Sequence, residues 1–69
     1  MAHYEIHIMA GPCTITDEWD GNRNEAIAYL NETYVGQALE HHTGREYAIE
    51  NIYLTAFGNT DIIEWSWSN

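Results

Sequence analysis

The chain contains no lysine, and its only cationic side chains apart from histidine are Arg23 and Arg45. Against these stand 11 Asp and Glu in 69 residues, a formal charge of −9. Nucleic-acid phosphates are held by patches of Lys and Arg, so this balance excludes direct binding of DNA or RNA. Cysteine is nearly absent. The lone Cys13 has no internal disulfide partner, whereas small secreted domains use several bridges, so a reducing, cytoplasmic setting is expected. No charged segment followed by an apolar run marks a signal peptide. Apolar runs fall far short of the roughly 20 residues that span a bilayer, and the acidity disfavours anionic membrane surfaces. Phosphate-cradling glycine loops, a nucleophile elbow and paired zinc-ligand cysteines are all missing. So short a chain leaves little volume for a deep pocket. No enzyme activity and no cofactor are expected.

What is present argues for a folded chain. Hydrophobic residues make up 45%, with eight Ile, three Trp and five Tyr, a content that disordered chains lack. Domains average roughly 100–150 residues, so residues 1–69 are expected to form a single compact acidic domain. A domain of this size buries only about 60% of its unfolded surface, and repulsion among the acids weakens it further. A partner or a second copy is expected to add stability, with the chain a monomer or a homodimer.

Hydrophobic alternation sets the expected elements. Tyr4, Ile6, Ile8 and Ala10 share one strand face, and His3, Glu5, His7 and Met9 the other. Cys13, Ile15, Asp17 and Trp19 form a second alternating set. A two-residue Gly11-Pro12 loop pairs Ala10 with Cys13, Ile8 with Ile15 and Tyr4 with Trp19, leaving Ile6 against Asp17 as the mismatch. Asn22 and Glu25 read as a capping box. Ile27, Leu30, Tyr34 and Ala38 then recur at helical spacing, with Glu25, Tyr29 and Glu32 on the opposite side. Gly36 ends or kinks this helix, and Gln37 to His42 reads as a separate turn. Tyr47 to Phe57 is rich in strand formers, and Gly58-Asn59 is a two-residue hairpin loop that places Leu54 against Ile63 and Ile52 against Trp65. The order ββαββ predicts an α+β fold, a four-stranded antiparallel sheet with one helix packed on a face.

Four groups could carry function. His3, Glu5 and His7 project from one strand face at steps of about 6.6 Å and could ligate a transition metal; the ordinary alternative is a solvated strand face. His41 and His42 suit a helix C-terminus. Cys13 reads as a small core residue. The run Asp17, Glu18, Trp19, Asp20 lacks EF-hand spacing and reads either as helix N-terminal acids or as part of a partner-binding surface. Acids beside aromatic anchors steer and hold cationic partners. The expected partner-binding residues are therefore Glu5, Asp17, Glu18, Asp20, Glu25, Tyr29 and Glu32. The faces carrying His3, Glu5 and His7, and Phe57 and Ile62, are the next candidates.

In length, acidity, lone cysteine and compact α+β pattern, the chain resembles small acidic phage anti-defence proteins, anti-CRISPR proteins above all. The resemblance spans the whole chain as one of type and rests on no shared motif. It implies a non-catalytic inhibitor acting in the host cytoplasm. Its carboxylates would stand in for phosphates and occupy the basic nucleic-acid-binding surface of a nuclease or effector complex. A small metal-binding protein and a regulatory adaptor or antitoxin are the alternatives.

Overall fold

The computed structural model describes residues 2–69. Strands β1 (Ala2–Ala10) and β2 (Cys13–Gly21) form the expected hairpin. Its register pairs Ala10 with Cys13, Ile8 with Ile15, Ile6 with Asp17 and Tyr4 with Trp19. Gly11 makes the two-residue loop workable by taking φ +57, a sign that a two-residue hairpin turn requires at its first central position. Gly11 is also pressed by an aromatic ring, because a Cβ there would lie 2.7 Å from Tyr47 Cδ1. Gly11→Ala is expected to cost roughly 1–2 kcal/mol from the backbone alone, with more from displacing Tyr47. An unchanged denaturant midpoint would show that neither constraint operates.

Helix α1 (Arg23–Thr33) starts at the expected capping box. Asn22 Oδ1 accepts from Glu25 N at 2.8 Å, and Glu25 Oε1 accepts from Asn22 N at 3.3 Å. Ala26 and Leu30, one turn apart, are fully buried. Ile27 and Tyr34 pack at the margin of the same core. The stripe stops there: Tyr34 is the C-cap and Gly36 takes φ +80, so Ala38 belongs to no helix. The expected turn at Gln37 to His42 is instead strand β3 (Ala38–Glu40), paired antiparallel with β4 (Glu46–Ala48) in a small second sheet. His41 and His42 therefore lie in a hairpin loop, not at a helix C-terminus; His41 N donates to Arg45 O at 2.7 Å.

Strands β5 (Asn51–Ala56) and β6 (Asn59–Ser68) complete a four-stranded antiparallel sheet in the order β2-β1-β5-β6. The fold is α+β, as the sequence predicts. The β5–β6 register differs from expectation. Its loop is Phe57-Gly58, with Gly58 at φ +79, and irregularities on β6 shift the pairing. Leu54 faces Trp65 instead of Ile63, and Ile52 faces Trp67 instead of Trp65. Extra residues on one strand of a pair shift its alternation relative to the other, and Ile63 lands opposite Thr55, 58% exposed.

The helix covers one sheet face. Ile6, Ile8 and Ala10 of β1 and Ile52 and Leu54 of β5 form the core there, with Ala26, Leu30 and Ile49. The other face carries no helix. Among the described residues no helix is long and apolar enough to cross a membrane.

Candidate partner-binding face

Strand alternation turns His3, Glu5, His7 and Met9 away from the helix. The register sets Asp20 opposite His3 and Glu18 opposite Glu5. His3 lies between two carboxylates: Nε2 is 2.9 Å from Glu18 Oε1, and Nδ1 is 2.5 Å from Asp20 Oδ1. A neutral imidazole has one N–H and one lone pair, so donating at both nitrogens requires the imidazolium. The hydrogen bond to Glu18 raises the His3 pKa above its usual 6.5; partial desolvation opposes this, and the charge and hydrogen bond of Asp20 add to the rise. The His3 ring meets Phe57 edge-on, with centroids 4.5 Å apart. Glu5 Oε1 accepts from Gly58 N at 3.2 Å, tying the acidic face to the β5–β6 turn.

Farther along the face, His7 stacks on Tyr53 with centroids 4.4 Å apart and planes at 11°. His7 Nε2 lies 3.0 Å from the hydroxyl of Thr55, which is fully buried. Phe57, Ile62 and Ile63, each 58% exposed, lie at and beyond the turn. Among the described residues, neither arginine forms a hydrogen bond or ion pair with Glu5, Glu18 or Asp20. Arg23 donates through Nη2 to Glu64 O at 2.7 Å, and Arg45 belongs to the β3–β4 loop.

A second cluster occupies the seam between helix and sheet. Asp17 projects to the helix side, unlike its neighbour Glu18. Its Oδ2 accepts from both Tyr29 and Tyr34 hydroxyls at 2.6 Å, and its Oδ1 from Glu18 N at 2.8 Å. Burial alone would raise the Asp17 pKa, but these three donors bring it below its usual 3.8. Burial, then the Asp17 carboxylate, holds Tyr34 well above the usual 10.0. Tyr29 is also raised, first by its hydrogen bond to Asp17. Trp19 stacks on Tyr29 with centroids 4.7 Å apart.

The seven expected residues thus divide. Glu5, Glu18 and Asp20 share the helix-free face. Asp17 and Tyr29 join the helix to β2. Glu25 closes the helix cap, and Glu32 stands exposed on the helix. His3, Glu5 and His7 do share a face, but His3 is held by Glu18 and Asp20, and His7 by Thr55 and Tyr53. Among the described residues no group of three or more His, Cys, Asp or Glu is arranged to hold a metal ion. Cys13 packs half-buried against the core.

Sequence reasoning missed Tyr34 as a partner of Asp17, and Tyr53 as the ring beneath His7. A signal for the first existed: Asp17 interrupts an otherwise apolar strand face, and a carboxylate facing a core needs donors. Compared with known proteins, the chain matches no family model, no curated protein and no solved structure.

Proposed function

We propose that this protein is a non-catalytic inhibitor that docks its helix-free sheet face on the basic nucleic-acid-binding surface of a host defence nuclease or effector complex. One observation carries the reading: Glu5, Glu18 and Asp20 stand together on one sheet face and, among the described residues, pair with no arginine, in a chain of charge −9. Glu18 and Asp20 side chains are 57% and 68% exposed, so they are accessible to a partner's cations. Exposed charges of this kind steer association and set partner choice more than they set affinity. Phe57, edge-on to His3, and Ile63, opposite Thr55, supply apolar contact beside them.

The test is affinity capture on immobilised protein followed by elution with single-stranded DNA or RNA. The expected result is a retained nucleic-acid enzyme released by nucleic acid and by moderate salt, since screening shortens to about 8 Å at physiological ionic strength. Retained proteins that nucleic acid does not displace would contradict mimicry. The protein itself is expected to give no gel shift with DNA or RNA at low salt; a shift at micromolar protein would refute the electrostatic argument.

A further inference from the structure

We propose that Glu18, Asp20 and Phe57 form a seat for a flat organic cation, filled by the His3 imidazolium in the free protein and by a partner's arginine guanidinium when the protein docks. The proposal rests on the docking reading above and adds its recognition chemistry and its dependence on pH.

The seat is defined by what already occupies it. The two carboxylates meet opposite edges of the His3 ring, at 2.9 and 2.5 Å, and Phe57 packs against it. A guanidinium is likewise planar, carries donors along its edges and pairs with carboxylates through them. It also favours an aromatic neighbour. Lysine, a point charge without that planar fork, matches the seat less well. The occupant is replaceable: the His3 side chain is 38% exposed, and the carboxylates more so.

Because His3 must carry a proton to hold both carboxylates, proton and guanidinium compete for one place. The charged groups that bear on the ring are Glu18 and Asp20 from β2; Glu5, two residues along β1, is bonded to Gly58 N instead, and neither β5 nor the Phe57-Gly58 loop carries a charged residue. Below the raised His3 pKa the seat is filled from within. As pH rises through that pKa the ring becomes neutral and keeps only one of its two donors, so one carboxylate is released and the positive charge that held both is gone. Partner affinity therefore increases with pH across this window.

The experiment uses the full chain with a labelled oligo-arginine peptide, and oligo-lysine of equal length for comparison. Binding is followed by fluorescence anisotropy at low salt across the imidazole range, about pH 5 to 8.5. For the parent, affinity for oligo-arginine is expected to rise by up to about tenfold per pH unit while His3 is mostly protonated, and to level off above its pKa. His3→Ala is expected to bind tightly already at the acid end, with the pH dependence flattened. E18Q/D20N is expected to lose both affinity and pH dependence. In parallel, an NMR titration of the parent should place the His3 transition above 6.5, returning toward that value in E18Q/D20N.

Equal affinity and equal pH profile for the parent and His3→Ala would overturn the seat while leaving the docking reading intact. A His3 transition at or below 6.5 would do the same. Oligo-lysine bound as tightly as oligo-arginine would overturn the assignment to guanidinium. If the seat behaves as expected but capture yields nothing that nucleic acid displaces, the docking reading falls alone.

Discussion

Asp17→Ala is expected to destabilise the chain by about 2–4 kcal/mol, because hydrogen bonds to a charged group contribute roughly 1.5–3 kcal/mol each and neighbouring ones do not add fully. Two tyrosine hydroxyls in the helix–sheet seam lose their acceptor at once. Small domains have only about 5 kcal/mol or slightly more in total, so much of the chain's stability rests on this carboxylate. Charge reversal at Asp17 is more damaging still, since it sets a cation among groups arranged for an anion. Simultaneous reversal of Asp17, Glu18 and Asp20 therefore does not test binding on an intact fold. The pH dependence has a definite sign. The Asp17 pKa is lowered on folding, so its stabilisation is present above the usual 3.8 and is lost as pH falls through the depressed folded value. Thermal unfolding of Asp17→Asn should lack this acid-side loss. A variant with the parent's midpoint and acid profile would show that the cluster contributes nothing.

Leu54→Ala is expected to cost about 2–5 kcal/mol, the range for emptying a leucine site in a packed core. Leu54 is fully buried on an inner strand, between Ile6 of β1 and Trp65 of β6. A loss of that size approaches the whole stability of a small domain, and the far-UV spectrum of the variant should report partial or complete unfolding at room temperature. Ile62→Ala, at a site 58% exposed, is expected to stay within about 0.5 kcal/mol of the parent. Similar midpoints for the two variants would contradict the assigned core.

The two hairpins differ in how far the sequence specified them, and the reason is physical. In β1–β2, Tyr4, Ile6, Ile8 and Ala10 alternate along β1 and Cys13, Ile15 and Trp19 along β2 with Asp17 as the one break, and a one-residue slip would turn the β1 set out of the core; the register was legible for that reason. In β6 the adjacent Ile62 and Ile63 are apolar on both faces, so alternation does not fix parity, and Phe57-Gly58 competes with Gly58-Asn59 for the loop. The shift that moves Trp65 from Ile52 to Leu54 leaves no mark in composition. Strands β3 and β4, three residues each, are too short for a periodic signal, and the helical stripe overran them to Ala38. For the candidate site, alternation alone separates Asp17 from Glu18, so the acidic run divides between the helix seam and the helix-free face. The His3 clamp depended on combining the β1–β2 register with side-chain reach across the strands.

The most direct test of the account compares the parent with the E5Q/E18Q/D20N variant. The protein retained by affinity capture serves as ligand, and dissociation constants are measured at low and at physiological salt. These side chains lie on the helix-free face outside the core, so the variant's thermal unfolding should remain close to the parent's and can be checked on the same sample. The variant is expected to bind at least about tenfold more weakly at low salt, a loss of roughly 1.4 kcal/mol, with an affinity that varies much less with salt than the parent's. A folded variant that binds as tightly as the parent, with the same salt dependence, would contradict the assignment of the helix-free face as the docking surface.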